Sequence, residues 1–158
     1  MTITDKIEIV DYEPKHHKYF KDLNVAWIQK SFFVEDVDIE VLDDPDKFIL
    51  RPGGCILMAL YEGEVAGTCS LKNKGNGLYE LTKMTVDERM RGLRLGYHLG
   101  VATIERAKEI GAKKIELYSN TIGSAEAIPL YYKLGFKEIP LDTKEYQRAN
   151  IKMILELE

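Results

Sequence analysis

The segment from Leu81 to Gly96 carries the residue types that bind an anion. Met84-Thr85-Val86 ends a strand-like run, an Arg- and Gly-rich stretch follows, and a helical pattern starts near Arg94. The first N–H groups of such a helix have no intrahelical acceptor, and the positive end of the helix dipole lies beside them. Together they form an anion site, with Gly92 and Gly96 letting backbone approach a ligand and Lys83, Arg89, Arg91 and Arg94 adding positive charge. On a chain of net charge -4 that local clustering is informative. Taken alone it fits either a phosphate-type site or a solvated turn with exposed arginines.

A second stretch narrows the choice. Leu130-Tyr131-Tyr132-Lys133-Leu134-Gly135-Phe136, at the end of a helical pattern entering a strand, resembles the Leu-Tyr-x-Lys-x-Gly-Phe signature of the GNAT superfamily of N-acetyltransferases. Arg91-Gly92-Leu93-Arg94-Leu95-Gly96 resembles that superfamily's pyrophosphate loop, with Arg94 standing where the middle glycine usually falls. The resemblance implies an α/β (α+β) fold with a mixed, mostly antiparallel sheet of about six to seven strands flanked by about four helices. It implies acetyl-CoA as acyl donor, its pantetheine arm paired along Met84, Thr85 and Val86 as an added strand would be, and its pyrophosphate held by the amides of Arg91, Gly92, Leu93, Arg94, Leu95, Gly96 and Tyr97. Asn120 matches a position that hydrogen-bonds the cofactor in one subgroup, or else it stabilises its own turn.

Acyl transfer to an amine needs a neutral amine, a polarised thioester carbonyl and a proton for the departing thiolate. An alkyl ammonium with a reference pKa of roughly 10 must first lose a proton. Glu80 stands where some relatives carry the base or base relay, although an ordinary strand residue is the other reading. Tyr131 matches the general acid, the alternative being a packed aromatic with a satisfied hydroxyl. A backbone N–H near Met84 would polarise the carbonyl. Trp27, Phe32, Phe33 and Tyr146 are candidates for the acceptor pocket, and the acceptor itself is an unidentified primary amine of a small molecule or peptide. A non-catalytic acyl-CoA-binding sensor or regulatory module is the alternative.

The elements that must hold these residues follow from periodicity. Lys6 to Tyr12 alternates as a strand, and His16 to Lys30 turns helical with Tyr19, Leu23, Ala26, Trp27 and Lys30 on one face. A short helix is expected in the acidic run from Glu35 to Asp46, either a solvated face or an acidic wall that draws a cationic substrate. Strands at Cys55 to Tyr61, Val65 to Lys72 and Leu78 to Val86 form an antiparallel meander, its second turn built on Asn76-Gly77. A helix from Arg94 to Ile110 is closed by Gly111, a strand runs from Lys114 to Ser119, and a helix capped by Ser124 runs to about Leu134. Strands at Phe136 to Ile139 and Asn150 to Leu157 complete the chain, and Pro129 is expected near its helix's first turn, where its missing N–H matters little.

Length and composition bound the rest. The 158 residues, 45% hydrophobic and 30% charged, suit one domain spanning 1–158 with a buried core. The negative charge argues against nucleic acid or an anionic membrane as partner, and no run reaches the roughly 18 apolar residues of a spanning helix. The N-terminus lacks a signal-peptide core, so a cytoplasmic protein is expected. Cys55 and Cys69 are expected as buried thiols, and the three histidines show no metal-ligand spacing, so no metal is assigned. Pairing of edge strands in a homodimer is open.

Overall fold

The computed structural model describes residues 6–90, 93–141 and 146–157, so Arg91 and Gly92 of the expected anion loop lie outside the described residues. β1 (Ile7–Asp11) leads through a short turn of helix into α1 (His17–Ser31) and α2 (Asp36–Asp43). A π-helical turn at Asp46–Leu50 precedes the meander of β2 (Cys55–Tyr61), β3 (Glu64–Gly75) and β4 (Leu78–Val86). Then follow α3 (Leu95–Glu109), β5 (Lys114–Ser119), α4 (Ala127–Lys133), β6 (Lys137–Ile139) and β7 (Ile151–Glu156). The strands form one sheet in the order β1-β2-β3-β4-β5-β7-β6, antiparallel throughout except for the parallel β4–β5 pair. This is the expected mixed, mostly antiparallel architecture.

Both faces of the sheet are covered, and β2 shows how. Cys55, Leu57 and Ala59 enter one core with Leu95, Leu99 and Ala107 of α3, whereas Ile56 and Met58 enter another with Phe20 of α1 and Val41 and Leu42 of α2. A strand buried on both sides must be apolar at every position, which is why Cys55–Tyr61 is a continuous apolar run. The buried face of α1 differs from the expected one. Phe20, Asn24 and Ile28 point inward, while Tyr19 is half exposed and Ala26 is exposed. Asn24 hid this stripe in the sequence, because its burial is satisfied locally: its side-chain amide donates to the Phe20 carbonyl at 2.9 Å. Cys55 and Cys69 are buried as expected, and burial raises the two thiols to about 11 and about 12.

Three local features position the site. First, Thr68 pairs with Thr85 and Ser70 with Thr82, so one residue of β3, Cys69, is opposed by two of β4, and β4 bulges at Lys83 and Met84. Lys83 takes a left-handed φ of 55°, which costs a non-glycine residue about 1–2 kcal/mol. Second, β4 and β5 are paired only from Leu78–Glu80 to Lys114–Glu116 and then diverge, leaving the β5-facing edge of β4 from Leu81 to Val86 open. Third, α4 ends in a Schellman cap. Gly135, at φ 106°, donates to the Tyr132 carbonyl, and the Phe136 N–H donates to the Tyr131 carbonyl.

Candidate active site

The open edge of β4 and the start of α3 face one another across a cavity of about 580 Å³ lined by Met84, Thr85, Val86, Arg94, Leu95 and Gly96. The first intrahelical bond of α3 is His98 N–H to Arg94 carbonyl, and no side chain caps the helix. The amides of Leu95, Gly96 and Tyr97 are therefore the orphan donors of that helix. Arg94 occupies the glycine slot with φ 59° and ψ 25°, the left-handed geometry that glycine favours, so the arginine keeps the backbone shape of the motif. An open strand edge leading to orphan amides fits a thioester-bearing pantetheine arm ending in a pyrophosphate. Leu93 is half-buried against the core, and the Tyr97 ring lies under the cations of Arg94 (5.0 Å) and Lys133 (4.7 Å) instead of lining the cavity.

Two of the four expected cations do not serve this cavity. Arg89 is held by Asp87, its Nε and Nη2 donating to the two carboxylate oxygens at 3.2 and 2.8 Å. Lys83 is turned away by the bulge. Strict alternation would place it with Leu81 in the α3-side core, but it reaches instead to Asp38 of α2, Nζ to Oδ1 2.6 Å.

Tyr131 sits where the wide cavity meets a smaller one of about 60 Å³, and Trp27, Met84 and Ser124 share that junction. The Gly-Phe that follows fixes its place: the cap turns the chain back, and the Phe136 ring meets the Tyr131 ring edge-on at 6.2 Å. Burial pushes the Tyr131 hydroxyl well above the usual tyrosine range, so it keeps its proton at neutral pH.

The smaller cavity holds Glu80, which is 1% exposed, together with Trp27, Phe32 and Tyr146. The Tyr146 hydroxyl donates to Glu80 Oε2 at 2.9 Å and lies 3.1 Å from the Thr82 hydroxyl, and Lys74 Nζ is 3.7 Å from Glu80 Oε1. Phe33, grouped with Phe32 in the sequence, is 71% exposed and lines neither cavity, because the chain is extended after α1 and successive side chains diverge. Asn120 lines the smaller cavity and also holds its own turn. Its carbonyl accepts from the N–H groups of Ile122 and Gly123 at 2.8 Å each, and its amide donates to the Arg148 carbonyl at 2.7 Å.

Arg148 and Asp38 escaped the sequence reading. Asp38 is fully buried; Arg148 grips both its oxygens at 2.7 and 2.9 Å and reaches Glu35 at 3.0 Å. Burial by itself opposes a charge on Asp38, but the Arg148 and Lys83 hydrogen bonds outweigh it and hold the carboxyl at about 2. Burial lowers Lys83 more than Asp38 raises it. With two cations on one carboxylate, Asp38 stays ionised, and Lys83 is the member whose charge burial strains. The acidic run is thus neither a fully solvated face nor a wall for a cationic substrate, since two of its carboxylates are bound internally. The one available signal was the Glu35-x-x-Asp38 spacing of a helix start, where Glu35 N–H donates to Asp38 Oδ2 at 2.9 Å.

The Acetyltransferase (GNAT) family model matches residues 20–136. The uncharacterized N-acetyltransferase YjgM of Escherichia coli K12 is 32% identical over 133 residues, 81% of this chain and 77% of YjgM. The N-acetylaspartate synthetase of Xenopus tropicalis is 31% identical over 101 residues, 63% of this chain and 37% of that longer protein. A GNAT-family acetyltransferase from Staphylococcus aureus Mu50 superposes with a TM-score of 0.86 at 22% identity, covering 96% of this chain and 99% of that one. The yncA protein of Salmonella typhimurium, solved with its cofactor acetyl-CoA, superposes at 0.75 with 18% identity, covering 97% and 95%. The chain belongs to the GNAT family, the acetyl-CoA-dependent N-acetyltransferases that its motifs resemble. No helix among the described residues is long and apolar enough to cross a membrane.

Proposed function

We propose that the protein transfers an acetyl group from acetyl-CoA to a primary amine of a small molecule or peptide by direct attack. The observation that carries this reading is the junction at Tyr131, where a wide cavity fit for an acyl donor opens onto a small one holding a buried carboxylate. The β4 edge at Met84 to Val86 binds the donor's arm, and the amides of Leu95 to Tyr97 bind its pyrophosphate. Glu80, oriented by Tyr146, takes a proton from the acceptor ammonium, directly or through water. The neutral nitrogen then bonds to the thioester carbon, and a backbone N–H at the Met84 bulge stabilises the oxyanion. Collapse breaks the carbon–sulfur bond, the Tyr131 hydroxyl protonates the departing thiolate, and the nitrogen, still carrying one proton more than the amide product, passes that proton to the tyrosinate, directly or through water.

Acetyl-CoA consumption against a panel of amines tests this. Replacing Tyr131 with Phe is expected to lower kcat by roughly 100-fold or more while leaving the KM for acetyl-CoA within about threefold. A Tyr131→Phe variant with wild-type kcat overturns the acid assignment. CoA binding without turnover on any amine favours the sensor.

A further inference from the structure

The acidic run suggested a cationic acceptor, and the arrangement of charge around the inner cavity points elsewhere. Lys83 and Arg148 line that cavity; Asp38 and Glu35, which neutralise them, do not. The anions stand behind the cations. Among the described residues, Glu80 is the carboxylate in the lining. A molecule in this space therefore meets, among those residues, one anionic group and two cationic ones.

We infer that the acceptor is a small amine that also carries a carboxylate, an amino acid or a close analogue, with its ammonium directed to Glu80 and its carboxylate to Lys83 and Arg148. The inference rests on the acetyl-transfer reading and names the substrate class of the same site. Two features, joined at Tyr146, support it. The bulge gives Lys83 a left-handed backbone and brings Thr82 and Lys83 to the same side of the sheet, where Tyr146 accepts both: its hydroxyl meets Thr82, and its ring lies 4.9 Å below the Lys83 ammonium. The Arg148 guanidinium stacks over that ring at 4.8 Å. The two cations are thus held in a fixed relation to each other and, through Tyr146, to Glu80.

Hydrogen-bond capacity supports the same conclusion. An ammonium has three donors and a guanidinium five, and the bonds to Asp38 and Glu35 use one from Lys83 and three from Arg148. Donors held rigid by buried counterions are preorganised for a further oxygen anion. The inner cavity is the small one, about 60 Å³, which suits a compact head group.

The test compares L-amino acids with the matching carboxamides, each with acetyl-CoA and the wild-type protein. The free acids are expected to exceed their amides in kcat/KM by tenfold or more, chiefly through KM. Lys83→Met should bring the ratio toward one; because it strips a counterion from Asp38, the Lys83→Met/Asp38→Asn double variant is measured beside it and should show the same loss of discrimination. Equal or better turnover of amides or simple alkyl amines by the wild type overturns this inference alone. No acetyl-CoA consumption with any amine, charged or neutral, sinks the transferase reading as well.

Discussion

Tyr131 and Asp38 illustrate opposite fates for a buried ionisable group. Burial keeps Tyr131 protonated, which is the state a general acid needs, and its motif announced it in the sequence. Asp38 is held ionised by Arg148 and Lys83, partners 110 and 45 residues away, and no local pattern could announce that. A depressed carboxyl contributes stability that is fully present above its unfolded pKa and is lost as pH falls through the folded value. For Asp38 the window runs from about 4 down to about 2. Urea melts of the wild type are expected to lose stability across that window, and Asp38→Asn, which is less stable at neutral pH by about 3–5 kcal/mol, should show a flatter dependence. An identical acid profile in both proteins would contradict this assignment.

At the scale of elements, the sequence located the seven strands and four α-helices of the described residues to within a few residues, because period and turn chemistry agreed. It did not foresee the π-helical turn at Asp46–Leu50, and α4 starts at Ala127 after Glu126 and not with Ser124 as its cap. Asn76-Gly77 has both φ values positive, as a two-residue hairpin turn requires. The β4 bulge, the divergence of β4 from β5 and the inward face of α1 were not legible. Each depends on pairing with another element and not on the segment's own pattern. Arg94 gives a sharp test of the α3 start. Its backbone is left-handed, so if the proposed binding through backbone amides holds, Arg94→Gly should preserve CoA affinity within about threefold. Arg94→Val should weaken affinity by tenfold or more and cost about 1–2 kcal/mol in stability, because a β-branched residue resists that φ. Calorimetric titration with CoA alongside thermal melts separates the two.

Across the whole molecule, the sheet serves as a wedge. Its two cores hold α1 and α2 on one face and α3 and α4 on the other, so the gap between β4 and β5 opens toward side chains from both halves of the chain. The acidic run from Glu35 to Asp46 offered a wall for a cationic substrate as one reading, but two of its carboxylates, Glu35 and Asp38, are bound internally by Arg148 and Lys83. The family was legible from two short motifs; the acceptor chemistry we propose rests on Lys83 and Arg148, whose placement exists only in the folded chain. A crystal structure with CoA tests the central claim most directly. The pantetheine is expected along Met84 to Val86, the pyrophosphate at the amides of Leu95 to Tyr97, and the thiol at the junction beside Tyr131. CoA bound away from the β4 edge, or with its thiol out of reach of the Tyr131 hydroxyl, would contradict it.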